Sequence, residues 1–214
     1  MYIKGIDVSR WQGIKIKWDE VKEDGYQFVF IKVTDGSAYK QQFIDMAKIQ
    51  VTDASKAKLK IGFYHFAHPT NYGGLLEDAN NEANYFLKTI KSFPKPDLPM
   101  VLDLEDEKIN LSPQEVEQWV NEFKRIIEAA NYTLIIYSYA AYLNLHLPKN
   151  HKLGAIPLWL ASYPKNFDIN KLPKKPNGWD TWVIWQYSEK GIPKGFMSNG
   201  CDLNIMTQEF YNRF

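Results

Sequence analysis

Pro99-Met100-Val101-Leu102-Asp103-Leu104-Glu105-Asp106-Glu107 joins an apolar run to a cluster of acids. Residues two apart in a strand share a face. Leu102 and Leu104 therefore point one way, and Asp103 and Glu105 the other. Seven more runs rich in β-formers flank this one, at residues 3–9, 28–34, 60–66, 133–139, 157–163 and 182–188, with a short last run at 201–204. Helical patterns at 41–58, 75–91 and 112–130 lie between several of them. The third opens with Ser112 as cap, Pro113 at the first helical position and Glu115 completing a capping box.

Strand alternating with helix implies right-handed βαβ units and a mostly parallel sheet. Eight such strands point to a closed barrel rather than an open sheet. The expected fold is α/β, a single irregular (β/α) TIM-like barrel of eight mostly parallel strands. Helices are reduced in its C-terminal half, because the later strands follow one another closely. Residues 189–200 carry Gly191, Pro193, Gly195 and Gly200, which disfavour a helix there. The short Pro-rich stretches 93–99 and 172–176 read as loops, too short to separate domains, so residues 1–214 are expected to form a single domain.

Composition narrows the function. Lys and Arg total 26 against 25 Asp and Glu, a net charge of +1 that supplies no bulk field for nucleic acid or an anionic membrane. No apolar run approaches the ~18 residues of a spanning helix, so membrane insertion is not expected. The N-terminus lacks the charged-then-apolar pattern of a secretory signal. One cysteine, Cys201, excludes an internal disulfide and reads as a packing residue. Neither a G-x-G-x-x-G nor a Walker pattern occurs, which argues against nucleotide chemistry. Nothing demands more than a monomer.

Within a barrel, Asp103 and Glu105 face an interior normally filled by branched apolar residues, with Glu105 near the C-terminal mouth. Burying unpartnered charge costs several kcal/mol; the plain alternative is that the two balance Lys32 or Arg10. Asp7, in the first strand, and Asp202, in the last, are expected to be neighbours, since those strands meet when a barrel closes. Four acids then converge on one cleft: Asp7, Asp103, Glu105 and Asp202. Asp106 and Glu107 read as the start of a solvated loop. Aromatics reach 15% of the chain and cluster at the same strand ends. Phe30, Phe63 and Trp182 read as core. Tyr64, Tyr137, Trp159 and Trp185 read as a platform on which flat sugar faces stack, with Gln186 as a polar substrate contact. Trp11 fits either role. His65 and His68 do not have the i, i+4 spacing of a zinc helix, so a satisfied or loop role is expected, with no metal and no cofactor.

The ordered set Gly5-Ile6-Asp7-Val8-Ser9-Arg10-Trp11-Gln12-Gly13, Phe30-Ile31-Lys32-Val33-Thr34-Asp35-Gly36, Gly62-Phe63-Tyr64-His65-Phe66, Asp103-Leu104-Glu105, Trp185-Gln186-Tyr187 and Asp202 resembles the family-25 glycoside hydrolases, the Chalaropsis-type lysozymes. The resemblance runs from Ile3 to about Asn204; one departure is Asp35, where the family often carries Glu. It implies cleavage of the β-1,4 bond from N-acetylmuramic acid to N-acetylglucosamine in bacterial peptidoglycan. It also implies Glu105 as general acid and Asp7, Asp103 and Asp202 as the other acids of the site. An ionised Asp103 beside Glu105, with partial burial, is expected to hold the acid protonated. Asp103 then either steadies the developing positive charge or orients the substrate's 2-acetamido group as internal nucleophile; a carboxylate nucleophile and an inverting route stay open. The alternatives are an N-acetylglucosaminidase or chitinase-like glycosidase, and a non-catalytic carbohydrate-binding barrel. Without a visible signal peptide, a phage or prophage endolysin made in the cytoplasm and acting on the wall is expected, or an extracellular enzyme whose leader has been removed.

Overall fold

The apolar runs become strands at nearly the expected positions. The computed structural model describes residues 1–197 and 200–214. In chain order the elements are β1 (Tyr2–Val8), α1 (Trp18–Glu23), β2 (Phe28–Asp35), α2 (Gln41–Lys56), β3 (Lys60–Phe66), α3 (Leu75–Ile90) and β4 (Met100–Asp103). They continue with α4 (Pro113–Ala129), β5 (Leu134–Tyr139), α5 (Ala140–His146), β6 (Leu158–Ala161), β7 (Ile184–Gly191), β8 (Cys201–Thr207) and α6 (Gln208–Tyr211). The strands close in sequence order, β1 returning to β8. Among the described residues, every pairing from β1 to β7 is parallel, and β8 runs antiparallel to both neighbours. A parallel return needs a crossover of a dozen or more residues. Only residues 192–200 separate β7 from β8, so the chain turns back on itself. Ser198 and Asn199 of that linker lie outside the described residues.

Three differences from the sequence reading have local causes. β4 stops at Asp103, so Glu105 sits on the loop just beyond the strand rather than at its last position. The short helices α1 and α5 were not anticipated, because one or two turns give too few repeats to register as a 3.6 period. β8 continues past Asn204 to Thr207, pairing along the whole of β1.

Alternation sorts the side chains into two cores. Leu102 and Leu104 lie with the helices, whereas Val101 joins Phe28, Phe30, Ile135, Trp159, Ile184 and Met206 inside the barrel. Phe28 stands opposite Gly5, and Phe30 opposite Gly62, in the strand registers. A Cβ at either glycine would collide with the facing ring, so the missing side chains make room for the aromatic filling. This plug closes the bottom of the barrel and leaves the C-terminal mouth of the parallel strands for a cleft.

Outside, α4 puts Val116, Trp119, Val120, Phe123, Ile126 and Ile127 against the barrel at helical spacing. Its start is as expected: Glu115 N–H donates to Ser112 Oγ, and Ser112 N–H to Glu115 Oε2 at 2.7 Å. Such a cap contributes about 1 kcal/mol. His65 faces this outer layer, between Phe86 and Phe123. Its Nδ1 bonds Thr34 Oγ1 at 2.9 Å and its Nε2 bonds Glu82 Oε2 at 2.8 Å, the satisfied histidine foreseen.

Candidate active site

The cleft is built at the C-terminal ends of the strands. Asp7, Tyr64, Asp103, Glu105, Tyr137, Trp159 and Asp202 line it. All four predicted acids therefore meet, contributed by β1, β4, the loop after β4, and β8. Asp7 and Asp202 are directly opposed in the antiparallel β1–β8 register.

Gln186, from β7, ties the acids of β1 and β8 together. Its Oε1 accepts the hydroxyls of Tyr137 at 2.8 Å and Tyr163 at 2.5 Å. Two donors at the oxygen orient the amide, so Nε2 is turned to donate to Asp7 Oδ2 at 2.9 Å and Asp202 Oδ2 at 3.1 Å. Asn204 donates a second bond to Asp7 Oδ2 at 2.7 Å, and its own Oδ1 accepts Trp159 Nε1 at 2.8 Å. Asp7 and Asp202 are thus held by side chains of the cleft, not spent on capping a turn or a loop.

Asp103 is buried, and its Oδ1 has no hydrogen-bond partner among the described residues. Neither Asp103 nor Glu105 has an ion pair among them. Lys32 is instead 2.5 Å from Asp35 Oδ2, and Arg10 stacks on Trp11 and Phe43. The alternative that the acid pair merely balances Lys32 or Arg10 is therefore not what the fold does with it.

Burial raises the pKa of every acid in the cluster. Glu105 is raised to about 7, by burial first and then by the charge of Asp7, while Lys32 opposes. Asp202 is raised to about 9, by burial and then by Asp7. Asp7 is raised by burial against the lowering bonds from Asn204 and Gln186. Asp103 stands well above the usual carboxylate range, through burial and then the charge of Glu105. The expected interaction between Asp103 and Glu105 is present as a rise of Asp103, and burial and Asp7 raise Glu105. The hydroxyls of Tyr64 and Tyr137 are likewise pushed up by burial and stay donors.

The aromatic platform needs revision too. Tyr64 and Tyr137 line the cleft as expected. Trp159 lies at its base, 2% exposed and packed on Phe30 and Tyr137. Trp185 does not reach the cleft: since Gln186 faces inward, its neighbours on β7 face outward. Trp185 packs against Phe167 and Trp182 and donates Nε1 to Ser162 O at 2.8 Å. Asp106 is also not a solvated loop residue. His68 bridges it to Asp35, with Nδ1 2.7 Å from Asp106 Oδ2 and Nε2 2.8 Å from Asp35 Oδ1. Although burial pushes Asp35 up, His68 and Lys32 hold it at about 2. Asp35 in turn leads the rise of His68 to about 9. This bridge fixes the loop that carries Glu105. Asn204 and Tyr163 were missed as site residues. Asn204 was within reach, being two residues from Asp202 and so on the same strand face, whereas Tyr163 follows β6 on a loop whose path the sequence does not give.

Acids raised by burial beside donors and rings form the equipment of a glycoside hydrolase, and similarity to known proteins agrees. A family model described as glycosyl hydrolases family 25 matches residues 6–196. The chain belongs to this family. Lysozyme M1 of Streptomyces globisporus is 32% identical over 94% of this chain and 67% of its own length. The lysozyme of Streptococcus phage Cp-7 is 31% identical over 90% of this chain, which spans about half, 52%, of that protein. The bacterial lysozyme structure from Streptomyces coelicolor superposes with a TM-score of 0.78 at 31% identity, covering 96% of this chain and 92% of that one.

Proposed function

We propose that the chain is a muramidase that cleaves the β-1,4 bond from N-acetylmuramic acid to N-acetylglucosamine in peptidoglycan, with Glu105 as general acid. The observation that carries the assignment is the contrast within one acid pair. Glu105 holds its proton up to about pH 7 at the cleft, so it can protonate the leaving glycosidic oxygen. Asp103 presents a buried Oδ1 with no partner among the described residues, an acceptor suited to the N–H of a substrate 2-acetamido group.

In this reading Asp103 turns the acetamide so that its carbonyl oxygen attacks the anomeric carbon as the bond to the leaving oxygen breaks and Glu105 delivers its proton. Water then opens the cyclic intermediate, giving its proton back to Glu105, and the sugar emerges with retained configuration. The Asp7–Asp202 pair, sharing one proton, keeps one negative charge that steadies the positive charge developing on the ring, and Tyr64 donates to a sugar oxygen while Tyr137 holds Gln186. The phage relative supports an endolysin role as the finer reading of where the enzyme acts. No helix among the described residues is long and apolar enough to cross a membrane.

The test is a digest of purified peptidoglycan with new reducing ends identified by mass spectrometry, beside Glu105→Gln. Reducing-end N-acetylmuramic acid is expected, with turnover reduced by about 10²–10⁴-fold in the variant while sugar binding survives. Reducing-end N-acetylglucosamine would overturn the bond assignment, and near-normal turnover by the variant would remove Glu105 from the acid role.

A further inference from the structure

The residues beside the cleft include a cationic group that the chemistry above does not use. Arg10, Trp11, Lys40 and Phe43 line a groove of their own, and Trp11 also lines the acid cleft, so the two are continuous. The Arg10 guanidinium lies 4.6 Å from the ring centroid of Trp11 and 4.6 Å from that of Phe43. Stacking on two rings occupies the faces of the guanidinium and leaves its N–H groups in the ring plane for a ligand. Neither Arg10 nor Lys40 has a carboxylate within ion-pair distance among the described residues.

The turn that presents these groups is braced from behind. Ser9 accepts the Trp11 N–H at 3.3 Å, and the Ser9 N–H donates to Gln12 Oε1 at 2.8 Å. Gln50, 1% exposed on α2, donates to Ser9 O at 2.9 Å and Gly13 O at 2.7 Å. A rigid turn loses little entropy on binding, and a stacked guanidinium is suited to a planar, bidentate anion.

We propose that this shelf binds the carboxylates of the stem peptide that peptidoglycan carries on the lactyl group of its N-acetylmuramic acid residues. The inference rests on the muramidase reading and names the part of the substrate that this edge of the site recognises. Charge complementarity supports it. The acid cleft offers a carboxylate no free cation, since Lys32 is paired with Asp35, whereas the adjoining shelf supplies two, Arg10 and Lys40. The apolar face of Trp11 covers the path between them.

The experiment compares kcat/KM on soluble glycan oligomers of one length in three forms: with stem peptides, with stem peptides whose carboxylates are amidated, and with the peptides removed. For the wild type we expect the carboxylate form to be preferred about fivefold, mainly through KM, with the preference shrinking as salt is added. In Arg10→Gln and in Lys40→Gln the ratio should fall towards one, and Arg10→Lys should restore part of it. Lys40 is exposed, so its variant keeps the test valid if Arg10→Gln loosens the turn. A wild type with no preference, a preference that survives amidation, or variants that keep the full ratio would each overturn the shelf while leaving the muramidase reading intact. Failure of the wild type to release N-acetylmuramic acid ends from any of the three would instead overturn that reading, and the shelf with it.

Discussion

Asp202→Asn should make the fold more stable at neutral and alkaline pH. Asp202 sits opposite Asp7, and both accept from the one nitrogen of Gln186, at 3.1 and 2.9 Å. Its carboxyl is raised to about 9 by burial and by Asp7, whereas an unfolded aspartate titrates near ~3.9. Because the folded pKa is the higher one, the folded state keeps a proton that the unfolded state releases. The contribution of Asp202 to stability is therefore full below pH ~4 and is lost as pH rises through about 9. Each pH unit within that window removes about 1.4 kcal/mol, so the three units from pH 5 to pH 8 remove ~4 kcal/mol. Asp202 is partly exposed and shares its proton with Asp7, so about half of this, ~2 kcal/mol, is expected to be observed. The substituted amide can donate to Asp7 as the shared proton does, and it does not titrate. Urea unfolding of both proteins at pH 5 and pH 8, extrapolated to water, measures the difference. The variant should gain ~2 kcal/mol on the wild type between the two conditions, a large share of a typical 5–15 kcal/mol. A stability difference that is the same at both pH values would refute the argument, since it would mean that Asp202 ionises in the fold like an ordinary surface carboxylate.

With Glu105 as acid, activity should be full below its pKa of about 7 and decline as pH rises through it. Lys32 lowers the pKa of Glu105, so Lys32→Met should move this alkaline limb upward by roughly 0.5–1 pH unit; a limb that stays put or moves down would count against the assignment. Trp185→Ala should cost ~3–5 kcal/mol in urea unfolding and leave KM for soluble glycan nearly unaltered in the protein that remains folded, because the ring fills the outer layer. A raised KM with unchanged stability would return Trp185 to the sugar site.

Much of the cleft was legible because the strand period is two. That period puts Asp103 on the face opposite Leu102 and Leu104, and closure of an eight-stranded barrel makes neighbours of Asp7 and Asp202. The same rule applied to β7 excludes having both Trp185 and Gln186 in the cleft, and applied to β8 it brings in Asn204. Those two slips came from counting aromatics rather than faces. The antiparallel turn of β8 follows from a linker too short for a crossover, although its consequence, a direct cross-strand contact between two acids, depends on register.

The sequence by itself determined the barrel, the strand ends that carry acids, the capped α4 and the family, because each rests on local periodicity or on an ordered set of motifs. Only the tertiary structure decided which charge acts on which acid. It placed Lys32 on Asp35 instead of Asp103, set His68 between Asp35 and Asp106, turned the Gln186 amide with two tyrosine hydroxyls, and left one oxygen of Asp103 without a partner among the described residues. Apart from the Lys32–Asp35 pair, three residues apart, these are contacts between residues distant in the chain. Their energies depend on burial and on separations of a few ångströms, and spacing along a sequence carries neither.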